Sequence, residues 1–208
     1  MNPETFAVLL IREASRFIGL RETKPNAEWD NPATPGPDDD LVKELRAVMQ
    51  PSPWKPGWAY CAAFVEGMVA NAFTMSELPA AERARAVTEW RRKMTPHVLT
   101  SWRVFQKRCV AVPVSGCIWF ARHGATDQGH CGIVTSVRGS TMTTIEANTS
   151  ADAALLQGRA RDAAKEREGD WITPRIRNVS GVGTLRTLGF LPPAALLAAV
   201  EISTSARR

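Results

Sequence analysis

Apolar residues recur at helical spacing near the start of the chain: Phe6, Leu9, Leu10, Ala14, Phe17 and Ile18 mark one face of a first helix. Asn2 can accept hydrogen bonds from its free N–H groups, Pro3 suits the first helical position, and Glu4 complements the positive end of the dipole. Gly19 supplies the stop. The stretch "RETKPNAEWDNPATPGPDDD" is rich in Pro, Asn and Asp and predicts a long loop. Its terminal acids, Asp38 to Asp40, stand at the start of a short helix over "LVKELRAVM". The turn "PSPWKPGW" then leads into a third helix, roughly residues 60 to 73, that is apolar at most positions. "SELPAAERARAVTEWRRKM" and "HVLTSWRVFQKR" continue the helical pattern to residue 108.

The period changes after that point. "CVAVPV", "CIWFARH", "GHCGIVTSV" and "TMTTIEAN" are short, β-branched or aromatic, and separated by glycine-containing turns. The last two, joined by "RGS", predict a hairpin. Residues 151–170 are polar, charged and alanine-rich, and read either as a helix or as a mobile insertion. "GTLRTLGFLPP" predicts a last strand. Pro192 and Pro193 precede "AALLAAVEI", a short terminal helix or tail. Helices first and an antiparallel sheet after make an α+β layout. The expectation is one unit over 1–192, helical to about 108 and β-rich from about 109, followed by a terminal helix or tail over 193–208. There is no internal repeat.

Charge and composition narrow the function. The 208 residues carry a net charge of +5, with a pI near 9.3, which suits a polyanionic partner: nucleic acid, a membrane surface or an anionic wall polymer. No Lys/Arg run is interleaved with aromatics and there is a single Tyr, so nucleic acid is not expected. No apolar run approaches the roughly 18 residues of a membrane span, so no membrane insertion is expected. "MNPETFAVLLIREASRF" lacks the basic start and unbroken apolar stretch of a signal peptide. The expectation is therefore synthesis in the cytoplasm, with release or injection if the protein works outside it. The four cysteines, Cys61, Cys109, Cys117 and Cys131, contain no CxxC pair and form no disulfide framework; one bridge among the latter three stays open. "DDD" lacks the alternating pattern and glycine of a calcium loop.

Cys61 is the residue with chemistry. A thiol in the first turn of a helix meets free N–H groups and the positive dipole end, which favour the nucleophilic thiolate. Such a nucleophile needs a base, and the base needs an orienting partner. Of three histidines, His97 opens a helical segment as a surface or capping residue, and His123 sits in the turn "RHGATDQG". His130 stands between glycines in "QGHCGIV" at the start of a strand. Strand alternation turns Cys131 and Ile133 toward the core and leaves His130 on the other side, free to meet the Cys61 helix. Glu146 and Asn148, two apart on the neighbouring strand, share a face, and either can hold the imidazole tautomer. A metal shared by Cys117, His123, His130 and Cys131 is disfavoured, because His130 and Cys131 point to opposite faces. Trp54, Trp58 and Trp119 lie near these residues in sequence, with core packing as their expected role.

The order "WAYCAAFV … GHCGIV … IEANTS" resembles the CHAP branch of the NlpC/P60 cysteine hydrolases, papain-like enzymes that cut amide bonds in peptidoglycan. The likeness extends to "GLRET" and "LRTLGFLPP" and covers most of residues 5 to 192. It implies a papain-like fold, Cys61 as nucleophile, His130 as base, and Glu146 and Asn148 as polar partners. It implies no cofactor, peptidoglycan as substrate and a monomer. The activity would be that of an amidase or endopeptidase, either a phage or prophage lysin or an injected toxin with an immunity protein as partner, acting in the periplasm or at the wall. The chain departs from the family pattern at Cys117, where such domains often carry Asp after Gly116, and at Tyr60, where many carry Trp or Gln. The Cys61 N–H is then the firmer oxyanion donor. Residues 76–108 and 151–175 exceed a minimal domain and are placed to shape substrate choice. Two other classes remain: a thiol hydrolase or acyltransferase on a non-wall amide or lipid, and a non-catalytic wall-binding module.

Overall fold

The computed structural model describes residues 1–24, 27–34, 39–50, 52–150 and 171–200. Helix α1 (Pro3–Ser15) begins on Asn2, whose side chain accepts from the Glu4 N–H at 2.8 Å. Where a loop was expected, Arg21–Lys24 (β1) and Glu28–Asp30 (β2) pair antiparallel. The buried indole of Trp29 is the reason: it anchors β2 against Tyr60, ring centroids 5.2 Å apart. Helix α2 (Asp40–Met49) is capped by Asp39, which accepts from the Leu41 and Val42 N–H groups. Helix α3 (Cys61–Thr74) follows the expected turn. Helices α4 (Ala80–Lys93) and α5 (Val98–Phe105) come next, α5 closing in a 3-10 turn over Gln106–Arg108. His97 caps α5 through its ring nitrogen, the local role its position predicted.

Among the described residues one eight-stranded antiparallel sheet takes the order β2-β1-β6-β5-β4-β3-β8-β7. Its later strands are β3 (Ile118–His123), β4 (Gly129–Arg138), β5 (Thr141–Thr149), β6 (Trp171–Asn178), β7 (Gly181–Val182) and β8 (Leu185–Leu191). The predicted β4–β5 hairpin is present. "CVAVPV" forms no strand beyond a single Val110–Phe190 bridge to β8. Strand β6, unforeseen in the sequence, pairs along β5 from Thr141–Asn178 to Thr149–Trp171. The polar segment 151–170 lies outside the described residues, as do residues 201–208 of the expected tail.

The sheet has two apolar faces. Ile118, Phe120, Cys131, Ile133, Ile145 and Ala147 pack with the helices. Cys117, Trp119, Ala121, Val134, Met142 and Phe190 form a smaller cluster. Helix α6 (Pro193–Ala199) buries Leu196 and Leu197 in the larger core beside α1. Helix α3 runs through that core with 12 of its 14 residues buried, the signature of a helix apolar on every side. Gly67 allows α2 to come close: a Cβ there would run into the Val48 side chain and lie 3.0 Å from its carbonyl. Among the described residues, no helix is long and apolar enough to cross a membrane.

One charge interrupts α3. Glu66 is 1% exposed, and Arg91 of α4 approaches it at 3.2 Å without the alignment of a hydrogen bond. Trp90 ties the same helices together, its indole N–H donating to the Glu66 carbonyl at 2.9 Å. Burial raises the Glu66 carboxyl to about 7, with Arg91 opposing only in part. A raised folded-state value means that the folded protein holds this proton more tightly than the unfolded chain. Its contribution is then favourable below about pH 4.5 and declines as pH rises to about 7, by on the order of 2–3 kcal/mol. Urea unfolding of Glu66→Gln across this range is expected to show a flatter decline than the parent. Equal slopes in the two proteins would contradict the assignment.

Candidate active site

Cys61 is the first residue of α3. The first helical bond runs from the Phe64 N–H to the Tyr60 carbonyl at 2.9 Å, and no side chain caps this end. The N–H groups of Cys61, Ala62 and Ala63 thus precede the helical ladder. The approach to Cys61 is stiffened by aromatic contacts. Tyr60 meets Trp29 edge-on, Trp29 lies 5.7 Å from Trp54, and the Trp54 indole donates to the Trp58 carbonyl at 2.7 Å. Trp119 is fully buried, as core packing predicted; Trp54 is partly buried and Trp58 is 50% exposed, so the expectation fails for Trp58.

His130 and Glu146 come from adjacent strands and meet on the sheet face that carries Trp119. His130 Nε2 lies 2.8 Å from Glu146 Oε2. Nδ1 is then the nitrogen left for Cys61. The Trp119 ring stands edge-on to the imidazole, centroids 5.9 Å apart at 79°. The flanking glycines serve two purposes. A Cβ on Gly129 would lie 2.7 Å from Val98 Cβ, so the glycine admits α5. A Cβ on Gly132 would lie 2.8 Å from Glu146 Cγ, so this glycine lets the carboxylate cross β4 toward His130.

The expected pairing of Glu146 and Asn148 on one face needs correction. The β5–β6 register shifts between Glu146 and Thr149, and Asn148 has φ 57°. That bulge breaks the strict alternation on which the shared face depended. Glu146 is the residue that meets the imidazole.

The electrostatics follow from burial. Glu146 is 0% exposed. Burial opposes its charge, but Arg177, His130 and their charges outweigh it and hold the carboxyl well below the usual range. Arg177 donates Nε to Oε1 at 2.8 Å and Nη2 to Oε2 at 2.5 Å, while Thr144 donates to Oε1 at 2.5 Å. Burial likewise opposes a charge on His130, yet hydrogen bonds with Cys61 and Glu146 raise it to about 10. Cys61 moves well below the ordinary thiol, first through a hydrogen bond from Cys131 and, against burial, through the hydrogen bond and charge of His130. Burial and the Cys61 charge push Cys131 the opposite way. The thiolate belongs on Cys61, which has the helix start and the imidazolium; the charge of Glu146 disfavours a thiolate on Cys131.

Cys131 is in the core as its alternation predicted, and its thiol also reaches Cys61, which the sequence did not reveal. His123 is half-buried and close enough to feel His130, Cys61 and Arg177, so its reading as an ordinary turn residue is incomplete. Thr144 and Arg177 were also missed. Arg175 and Arg177 alternate with Pro174 and Ile176, a period-two signal that could have marked β6. All four cysteines are free, so no disulfide joins Cys109, Cys117 and Cys131. Among the described residues, no three His, Cys, Asp or Glu side chains gather as metal ligands would.

A family model described as "CHAP domain" matches residues 51–148, from the turn before Cys61 to Asn148. No curated protein and no solved structure compared with the chain matches it. Cys61, His130 and Glu146 all fall within the matched span. Residues 51–148, somewhat under half of the chain, thus resemble a CHAP domain, a domain of the cysteine peptidase and amidase class.

Proposed function

We propose that this protein is a cysteine hydrolase that cleaves amide bonds of peptidoglycan, with Cys61 as nucleophile, His130 as acid–base and Glu146 as the group orienting the imidazole. The observation that carries this reading is the Cys61 thiol at an uncapped helix start, electrostatically joined to a His130–Glu146 pair at 2.8 Å. A helix that starts on Cys61 and packs on an antiparallel sheet carrying His130 supports a papain-like reading of the α+β fold. The net charge of +5 suits an anionic wall.

The steps follow from these positions. The Cys61 thiolate attacks the amide carbon, and the carbonyl electrons move to oxygen. N–H groups at the start of α3 stabilise that oxyanion, by about 3 kcal/mol per donor in comparable sites. His130 gives its Nδ1 proton to the leaving nitrogen as the C–N bond breaks, leaving a thioester. Water, deprotonated by His130, attacks the thioester; the C–S bond breaks and the carboxylate leaves. Glu146 stays ionised throughout and accepts from Nε2. Asn148, at the bulge beside it, is the remaining polar partner in this reading. A non-catalytic wall-binding module would have no use for a buried thiolate and imidazolium held against their desolvation cost.

Digestion of purified peptidoglycan, read by mass spectrometry, is expected to give new fragments with the parent and none with Cys61→Ala. The mass of the new termini identifies the bond. No fragments from a folded parent on several wall types would overturn the substrate assignment. His130→Ala is expected to lower turnover by about 10³-fold or more, and Glu146→Gln by about 10²-fold. Gly132→Ala should cost roughly 10- to 100-fold in kcat by pushing Glu146 away from the imidazole, without a comparable change in KM. An unchanged kcat in that variant would refute the role given to this glycine.

A further inference from the structure

We propose that Arg177 is a positioning residue of this site, the fourth member of a buried row of alternating charges that runs from the Cys61 thiolate through the His130 imidazolium and the Glu146 carboxylate to its guanidinium. The proposal rests on the reading of Cys61, His130 and Glu146 as catalytic. Arg177 stands on β6, outside residues 51–148, and acts through Glu146.

The geometry is that of a fork closed on a carboxylate. Arg177 donates Nε to Oε1 and Nη2 to Oε2 of Glu146, so one guanidinium holds both carboxylate oxygens. Oε2 is the oxygen that also meets His130 Nε2. The guanidinium carbon lies 5.6 Å from the centre of the Trp119 ring, and the same ring stands edge-on to His130. Trp119 is itself fixed by its indole N–H, which donates to Thr187 at 3.0 Å. Arg177 therefore sets the position of the carboxylate directly and braces the ring that borders the imidazole. Nη2 also reaches Thr149 at 3.5 Å, at the far side of the bulge that carries Asn148.

Charge is the second argument. The four groups sum to zero: one thiolate, one imidazolium, one carboxylate and one guanidinium. Two of the titratable groups nearby add no charge. Cys131 on β4 is pushed toward the thiol form, and His123 on β3 is pushed toward the neutral imidazole by burial and by His130 and Arg177. Arg175, two positions earlier on β6, is a further cation; its guanidinium is directed to the Ser150 carbonyl, and the fork on Glu146 is that of Arg177. Without Arg177 the remaining three groups carry a net −1 in a site where Glu146 is fully buried and Cys61 nearly so. Such a set relieves itself by taking up a proton, and the thiolate is the member whose protonation stops the chemistry.

The test reads the thiolate directly and needs no wall substrate, so its outcome is separate from that of the peptidoglycan digest. The rate of Cys61 alkylation by iodoacetamide is measured against pH, with modification quantified on the Cys61 peptide by mass spectrometry. Arg177→Gln is expected to move the titration upward by about one pH unit or more, and Arg177→Lys, which keeps the charge, by a few tenths. The Glu146→Gln/Arg177→Gln double variant removes one charge of each sign and is expected to return toward the parent curve. An Arg177→Gln titration that superimposes on the parent, with only a lower reactive fraction, would reduce Arg177 to a structural residue and overturn the proposal. If Arg177→Gln does not fold, the double variant decides: a return toward the parent supports the charge argument, and an upward displacement of one unit or more overturns it.

Discussion

Glu146 is a fully buried carboxylate, and the site depends on the way that charge is compensated. An isolated carboxylate at this depth would take a proton, and a protonated Glu146 could not hold an imidazolium. Instead it is met from three directions: Arg177 on β6, His130 on β4 and Thr144 on its own strand. This requires three adjacent strands in fixed register, with a glycine opposite Glu146 so that its side chain can lie across β4. The charge is expensive to bury and useful once buried, because it keeps His130 protonated beside a thiol that becomes a thiolate.

The other half of the site is placed by packing. Helix α3 is apolar on nearly every side and touches α1, α2, α4 and the sheet. Its position is over-determined, so its first residue has little freedom. The N–H groups that an exposed helix would satisfy with a polar cap are left to the site, because Tyr60 spends its ring on Trp29. Rigid placement of the thiol and burial of the carboxylate are complementary: one fixes the sulfur, the other fixes the proton.

The features that were legible in the sequence are those whose signals are local. A cysteine after a turn and before an apolar run gave α3, and glycines around His130 with alternating β-branched residues gave the β4–β5 hairpin. Asn2 announced its helix through capping chemistry, and the acids Asp38 to Asp40 marked the start of the next, where Asp39 proves to be the cap. Features set by distant partners were not legible. Strand β6 contains Pro174 and two arginines and joins the sheet only through β5 and β1, so nothing in its own sequence says that Arg177 neutralises Glu146. Strand β2 exists because Trp29 finds Tyr60. The bulge at Asn148 was not legible because alternation assumes an unbroken ladder, and a bulge shows only when the partner strand is known. "CVAVPV" has the composition of a strand, yet it meets the sheet only at the Val110–Phe190 bridge.

The central claim is that His130 is an imidazolium while Cys61 is a thiolate, and the most direct measurement is the pH titration of the His130 ring by NMR on isotope-labelled protein. The account predicts a ring still protonated at neutral pH, losing its proton near pH 10, and titrating lower in Cys61→Ala, where the hydrogen bond and charge of the sulfur are gone. A His130 ring that is neutral at pH 7 in the parent, or one whose titration is unmoved by removing the thiol, would contradict it.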